Sequence, residues 1–441
     1  MELRPASSLK RELAVNLDTW IAQQVRRSAA AVERAISATH LVRRRAAFGQ
    51  TVRPLPGSVL ASPEIADWDP EPDYFFHWLR DSAVVMRSVA ELIQDARSVE
   101  ERNQWRRRFD DFVRFSLQLS ALDGAIFFDE SSYRQATDPE YRKFLRNDDE
   151  IRGLAGEALL GEPRFNPDGT IDFLRWSRPQ FDGPALRALA CLRYLGAGGE
   201  KSDDLARLLK LDLDFTCRHA AKPCIGPWEE PDQNTHHYYV ALVQLGALVH
   251  GRAWAGDKAR EWTAAENKLR NALDRHWSEQ QQAYLPIWPE QAHGALDAAC
   301  LLAVWDADLP HGPHSVQDRH VQMTQKAVEK FFAREFPVNH GRTAPALGRY
   351  RGDQYFGGGA WYPTTLAAAG LCYRLARIPG QDRNGLIRRG DEFMTTVREL
   401  TPADGALSEQ VDRETGQQTS ARHLTWSYAA FISAAHERSK Q

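Results

Sequence analysis

The chain has 441 residues and no Ser-, Pro- or Gly-rich linker to divide it, so a single domain spanning 1–441 is expected in place of the two or three that length alone suggests. Its formal net charge of -3 and pI near 6.5 arise from acidic and basic residues mixed throughout; without a basic stripe, the expected partner is neutral, neither nucleic acid nor an anionic membrane. Cys191, Cys217, Cys224, Cys300 and Cys372 are scattered, odd in number and without CxxC spacing, and read as reduced packing residues, not as a disulfide framework or a metal site.

Taken in order, the chain opens on a charged stretch, Met1 to Trp20, that lacks the apolar core of a signal peptide. No later stretch approaches a membrane span, so a cytoplasmic protein is expected. From Leu9 onward helical periodicity dominates and strand alternation is scarce, which predicts an all-α fold. Helices are predicted near 9–38, 80–98, 100–119, 183–196, 202–217, 235–250, 257–277, 294–304, 317–335, 361–377, 384–399 and 422–438, with 1–56 forming the first helix and its lead-in.

These helices are of two kinds, and the kinds alternate. The odd-numbered ones are amphipathic and heavily charged, as in Asp257-Lys-Ala-Arg-Glu-Trp262, and face water on one side. The even-numbered ones carry far fewer charges, as in Val240-Ala-Leu-Val-Gln-Leu-Gly-Ala-Leu248 and Thr364-Thr-Leu-Ala-Ala-Ala-Gly-Leu371, and require burial nearly all round. Strict alternation over six hairpins predicts an (α/α)6 barrel of six inner and six outer helices. Helical solenoids are the rival, but no repeat appears at their usual ~34 or ~40–47 residues.

The segments that lead into the inner helices share a composition. They are Tyr74 to Asp81, Trp176 to Gly183, Trp228-Glu229-Glu230, Tyr284 to Trp288, Gly348 to Trp361 and Leu407 to Gln410, and nearly all hold Trp or Tyr together with Asp, Glu or Arg. Successive inner helices of such a barrel run the same way, so these segments are expected to converge at one end and build one pocket. The stretch 129–161 is long, charged and part of neither ring, and is expected to be an excursion near the pocket rim.

Aromatic platforms alternating with Asp, Arg and Glu suit a neutral polyhydroxylated ligand, whose C–H faces stack on rings and whose hydroxyls pair with charged groups. Cleavage of a glycosidic bond needs one protonated and one ionised carboxyl group on opposite sides of it. Glu229 and Glu230 stand between Pro227 and Pro231, which holds them in a loop, and each raises the other's cost of ionisation beside the Trp228 indole. Either can supply the acid; the plainer alternative is an acidic first helical turn. Glu409, before the last inner helix, is a candidate for the base. His219, His236, His237, His293 and His423 lack metal-ligand spacing, and Gly357-Gly-Gly-Ala360 lacks the Lys-Ser/Thr of a phosphate loop, so neither metal nor cofactor is expected.

With these blocks in order, the chain resembles the glucoamylase family, glycoside hydrolase family 15, from about Gly57 to Ala435. The match rests on Ala61-Ser-Pro63 with Pro72 to Asp81, Trp176 to Arg187, Trp228-Glu229-Glu230, Gly348 to Trp361, and Leu407 to Gln410 with Ala421 to Tyr428. The resemblance implies an (α/α)6 barrel that releases β-D-glucose from non-reducing ends of α-1,4-linked malto-oligosaccharides with inversion. It places the acid at Glu229, a sugar-binding carboxylate at Glu230 and the water-activating base at Glu409. Tyr74 would seat the water, Arg80 and Asp81 grip the terminal glucose, Trp176 form a stacking wall and Arg349 bind hydroxyls; Trp78, Arg178, Trp228, Asp353 and Trp361 complete the expected substrate contacts. The segment Pro231 to His237 departs from the fungal pattern and leaves α-1,6 and trehalose hydrolases as alternatives, with a catalytically silent carbohydrate-binding or regulatory domain as the alternative of another class. No starch-binding module is expected after the catalytic blocks.

Overall fold

Apolar residues on every face of a helix demand neighbours on every face, and that demand sorts the twelve long helices found among the described residues into two rings. The structure is a computed structural model that describes residues 16–67, 71–231, 234–289 and 296–441. The inner ring comprises α2 (Leu79–Asp95), α4 (Asp182–Gly196), α6 (Tyr238–His250), α8 (Ala299–Ala307), α10 (Tyr362–Ala376) and α12 (Thr425–Ser439). Each packs on the next, and α12 returns to α2, so the ring closes. The outer helices α1 (Leu17–Ala35), α3 (Val99–Ser120), α5 (Asp203–Arg218), α7 (Ala259–Leu273), α9 (Arg319–Glu335) and α11 (Arg383–Leu400) each lie against an inner one, α1 against α12. Every residue of α8 and α10 is buried, as is α6 from Tyr238 to Leu248, whereas the outer helices bury a single stripe. This is the (α/α)6 barrel that the alternation predicts. Residues 1–15, with the start of the first predicted helix, and 290–295, with the start of the eighth, lie outside the described residues.

The two rings start their helices differently. Five of the six outer helices use polar side-chain caps: Asn16, Ser98, Ser202, Asp318 and Asp382 each accept a hydrogen bond from a first-turn amide, and only α7 has none. Inner helices have no such caps. Five of them instead donate an amide at or just before the first turn to a main-chain carbonyl of a connecting segment: Leu79 N to Pro163 O (2.9 Å), Tyr238 N to Pro286 O (2.9 Å), Ala298 N to Arg349 O (2.8 Å), Trp361 N to Leu347 O (2.7 Å) and Thr425 N to Ala61 O (2.8 Å). Two-residue antiparallel pairs add to this frame, His77–Trp78 with Arg164–Phe165, His236–His237 with Ile287–Trp288, and Ala360–Trp361 with Gln410–Val411. They account for inner helices that begin one to three residues later than periodicity predicts at 235 and 361.

The stretch read as an excursion folds into short helical turns, Gly124–Glu130, Tyr133–Ala136, Pro139–Phe144, Asp148–Arg152 and Glu157–Leu160. Its Tyr133, Leu145, Ile151, Leu154 and Leu159 form a separate apolar cluster with Leu79 and Phe115. Leu145 pairs with Leu174, which carries the chain to Trp176.

At the far end of the barrel α8, the shortest of the ring, stops early. Its Trp305 indole lies between the guanidinium groups of Arg87 from α2 and Arg374 from α10, 4.4 and 3.9 Å from the ring. Both donate to the Trp305 carbonyl, at 3.4 and 2.7 Å, and Arg193 from α4 reaches the Asp306 carbonyl at 3.5 Å. Three cations thus meet the negative end of this helix. Gly370 makes the fit possible, since a Cβ there would stand 2.2 Å from a ring carbon of Trp305. Among the described residues no helix is long and apolar enough to cross a membrane.

Candidate active site

Glu229 occupies a left-handed backbone position, φ 62°, in the turn between Pro227 and Pro231. The conformation is uncommon for a residue with a side chain and is held from both sides: Glu229 N–H donates to Gly226 O at 3.1 Å, and Ser177 Oγ donates to Glu229 O at 2.5 Å. Gly226 is required because a Cβ there would fall 2.4 Å from the His237 ring. The glutamates are therefore not the first turn of α6, which starts only at Tyr238. They are presented to a pocket at the end of the barrel where the inner helices begin.

That pocket has a volume of about 240 Å3, somewhat below the ~300–1,000 Å3 usual for small-ligand sites. Tyr74, Trp78, Arg80, Asp81, Trp176, Trp228, Glu229, Glu230, Arg349, Trp361 and Glu409 all line it, so five of the six lead-in segments converge, whereas Tyr284 to Trp288, expected with them, does not reach this pocket. Glu229 precedes α6 and Glu409 precedes α12, which stand opposite each other in the ring.

The Glu229 carboxyl group is surrounded by donors. Oε1 accepts from Trp78 Nε1 (3.0 Å), Arg80 Nη2 (3.1 Å) and Gln180 Nε2 (2.9 Å), and Oε2 from Trp176 Nε1 (2.7 Å). Glu230 accepts from Tyr350 Oη at 2.5 Å. Glu409 is buried and accepts from Ser420 Oγ and, at 3.3 Å, from Tyr74 Oη, which is 2.6 Å from Tyr355 Oη. Burial pushes Glu409 up to about 7 against the lowering effect of the Ser420 hydrogen bond and of Arg349. Burial likewise raises Asp81 to about 6, although Arg80 pulls it down.

Arg80 and Asp81 stand together at the start of α2. Arg80 Nη1 donates to Gln180 Oε1 (2.9 Å) and Asp182 Oδ2 (3.2 Å), leaving Nε 3.6 Å from Asp81 Oδ2. Those two atoms and Trp361 Nε1 are buried and have no hydrogen-bond partner among the described residues, although the first two remain an ion pair. Arg349 sits among the rings of Trp228, Tyr350, Tyr355 and Trp361, 5.0–5.7 Å from each, with its fork closed on Asp353 at 2.7 and 2.5 Å.

Two expected substrate contacts are placed elsewhere. Asp353 does not line the pocket; it orients Arg349 and accepts the Tyr355 amide at 2.9 Å. Arg178 does not line the pocket either; it donates to Glu162 (2.7 Å), Asp172 (3.1 Å) and the carbonyls of Leu174 and Trp176, and so fixes the segment bearing Trp176. Arg164 stacks on Trp176, its guanidinium carbon 3.8 Å from the ring centre. The histidines considered for a metal are dispersed: His219 stacks on Phe215, His423 on Tyr428, and His293 lies outside the described residues, as do Asp232 and Gln233 of the divergent segment after Glu230.

Several residues that build the site have no assigned role in the sequence reading: Gln180, Asp182, Asp297, Tyr350, Tyr355, Ser420 and Trp426. Asp297 is the least expected. Both its oxygens lie 3.0 Å from Trp228 Nε1, and Oδ1 accepts the Ala299 amide at 2.6 Å, so a carboxyl behind the pocket ties the glutamate turn to the start of α8. Burial raises it to about 7 despite these donors. Asp297→Ala is expected to lower kcat/KM about tenfold, the equivalent of ~1.4 kcal/mol, by releasing Trp228, while Asp297→Asn keeps the acceptor and most of the activity. Equal losses in steady-state assays of the two variants would show that the charge matters, not the tether.

Comparison with known proteins follows the same lines. The model of the glycosyl hydrolases family 15 matches residues 38–436. A probable glucoamylase of Schizosaccharomyces pombe is 26% identical, over 97% of this chain and 93% of its own length. Glucoamylase-1 of Schizophyllum commune is 27% identical, over 86% of this chain and 68% of its own. Among solved structures, a glucoamylase from Saccharomycopsis fibuligera aligns with a TM-score of 0.76 at 23% identity over 97% of this chain and 96% of that one. A family 15 glucoamylase from Hypocrea jecorina gives 0.75 at 23% identity, over 96% and 73%. The last two likenesses bear on the fold.

Proposed function

Since the chain belongs to glycosyl hydrolase family 15, we propose that it removes single glucose units, as the β-anomer, from the non-reducing ends of α-1,4-linked malto-oligosaccharides. The observation that carries this reading is a pocket with Glu229 and Glu409 on lead-in segments from opposite sides of the ring and, beside them, the buried Arg80–Asp81 ion pair, whose facing atoms lack a hydrogen bond. A pocket of this size favours a chain end over a chain middle, and its unpaired buried polar atoms lose free energy unless hydroxyls satisfy them.

In this reading the terminal glucose lies between Trp78, Trp176 and Trp361 and is gripped by Arg80 and Asp81. Glu229 protonates the glycosidic oxygen, Glu409 takes a proton from water on the other face of the ring, and Tyr74 Oη, 3.3 Å from Glu409, helps to seat that water. Glu230, anchored by Tyr350, binds the sugar across the bond. The α-1,4 preference is supported by the relatives named glucoamylase. Incubation with maltose, isomaltose, trehalose and soluble starch, followed by chromatography for glucose, tests the activity; glucose from none of them would leave a binding or regulatory domain.

Affinity confined to the pocket has a measurable consequence. The ratio of kcat/KM for maltoheptaose to that for maltose is expected to stay below about a hundredfold. A larger ratio would require an extended cleft worth more than ~2.7 kcal/mol and would overturn this view of the site.

A further inference from the structure

Both indoles that hold Glu229, those of Trp78 and Trp176, rest on one buried cation that stands behind the pocket wall. The guanidinium carbon of Arg164 lies 3.8 Å from the ring centre of Trp176, 4.9 Å from that of Trp78 and 4.1 Å from that of Phe76. Phe76 in turn carries Arg45 at 4.0 Å, so guanidinium groups and rings alternate in the order Arg45, Phe76, Arg164, Trp176. Arg164 is 2% exposed and is not among the residues that line the pocket. It reaches a sugar only through the rings it supports.

Arg164 is itself firmly placed. It stands opposite Trp78 in a two-residue antiparallel pair, and its Nε donates to Asp172 Oδ2 at 2.8 Å. Asp172 also accepts from Arg178 Nη2 at 3.1 Å and from the Leu174 amide at 3.0 Å. Nη1 of Arg164 is buried and has no hydrogen-bond partner among the described residues. An N–H left without an acceptor is costly in the interior, and the neighbours of this guanidinium are ring faces, on which a desolvated cation gains most. Its position serves stacking.

A flat cation lying on an indole constrains the tilt of the ring, and the tilt aims the N–H. Trp78 Nε1 is 3.0 Å from Glu229 Oε1 and Trp176 Nε1 is 2.7 Å from Oε2, one indole for each carboxyl oxygen. The two rings meet edge to face, 5.8 Å apart at 74°, so a turn of one presses on the other. Arg80 and Gln180 also donate to Oε1, whereas the bond to Oε2 comes from Trp176. From these contacts, and resting on the reading of Glu229 as acid, we propose that Arg164 is a positioning residue for the reaction: through the stacked indoles of Trp176 and Trp78 it sets where the Glu229 carboxyl group stands against the glycosidic oxygen. No bond is made or broken at Arg164 itself.

Arg164→Met removes the cation at similar length, while Asp172 keeps Arg178 and the Leu174 amide. Because a misplacement of ~1 Å lowers a rate about a hundredfold, kcat on maltose is expected to fall about ten- to a hundredfold with KM changed less than about threefold. α-D-Glucosyl fluoride, whose fluoride leaves without needing a proton, is expected to be turned over within about threefold of the wild-type rate. An equal loss on both substrates would mean general loosening of the fold, a raised KM with kcat intact would mean a wall that only binds, and no change would mean that the indoles stand without the cation. Each of these overturns the proposal. Arg164→Gln, neutral but able to donate to Asp172, is expected to show the same split and takes over the test should Arg164→Met not fold.

Trp176→Phe keeps a ring for Arg164 and removes the N–H. In that background Arg164→Met is expected to cost at least about threefold less in kcat than in the wild type, since both act along one route, and strictly additive losses would sink the idea. Glu229→Gln, assayed beside them, separates this from the role assignment. If it loses maltose but keeps the fluoride and Arg164→Met shows no such split, Arg164 alone is misread. If Glu229→Gln loses both substrates alike, the acid is not Glu229 and the proposal falls with that reading.

Discussion

Glu409→Gln is expected to fold normally and to lower kcat for maltose by about 10³- to 10⁴-fold, because the water opposite the glycosidic bond loses the group that takes its proton. The amide keeps the volume of the buried carboxyl and can still accept from Ser420 and Tyr74, so circular dichroism and the denaturant midpoint should be little changed. Glu229→Gln is expected to fall by a comparable factor on maltose, for want of a proton donor to the departing sugar. Glu230→Gln should lose less, since Glu230 is held off by Tyr350 as a binding group. Single-turnover rates on maltose separate chemistry from product release, and proton NMR in the first turnovers should show β-glucose before α-glucose. Near-full activity in either of the first two variants, or α-glucose appearing first, would remove the mechanism.

The second large effect is expected at the other end of the barrel. Arg374 is buried, donates to the Trp305 carbonyl at 2.7 Å and lies 3.1 Å from Asp308 and 3.7 Å from Glu437. Burial pushes both carboxyl groups up, but Arg374, first among their neighbours, helps to outweigh it: Asp308 falls below the usual carboxylate range and Glu437 to about 2 from 4.5. Arg374→Ala takes one of several cations from buried Glu437, from half-exposed Asp308 and from a helix end, and should cost about 1.5–3 kcal/mol, read as a lower denaturant midpoint. The sign with pH follows from depressed values. Their contribution is fully present above about 4.5 and is lost as pH falls toward about 2. Wild-type stability should therefore drop across that window while the variant's changes less. Unchanged stability in the variant would show that this charge cluster is not coupled to folding. Maltose hydrolysis well below the melting range should survive, since the cluster is at the opposite end from the pocket.

The ring was legible in the sequence because the physics that makes it is compositional. Inner helices cannot carry charge without a partner, so counting charges separates Val240 to Leu248 from Asp257 to Trp262 without any knowledge of contacts. Helix starts were less legible, since His236–His237 and Trp361 look helical by periodicity and are drawn into two-residue strands by partners far along the chain. In the site, aromatics and acids in the lead-in segments pointed to the pocket, and eleven of the thirteen residues expected there line it. Arg178 and Asp353 have the same residue types in the same segments, and only the positions of Glu162, Asp172 and Arg349 assign them to support. Asp297 and Ser420 had no signal to offer, being a lone carboxylate and a lone hydroxyl whose meaning lies in what the fold sets beside them.

The main-chain bonds that begin the inner helices have a consequence for how such a site changes over time. Because Leu79, Tyr238, Ala298, Trp361 and Thr425 are fastened through their amides to main-chain carbonyls of the connecting segments, the scaffold under the pocket does not depend on which side chains line it. Point substitutions in the wall can then be sampled without dislodging their neighbours, and a lineage can drift from one linkage to another through folded intermediates. Substitution by proline at any of these five positions is the exception. It removes the amide itself, and these are the places where variation in the rim should be most strongly restricted.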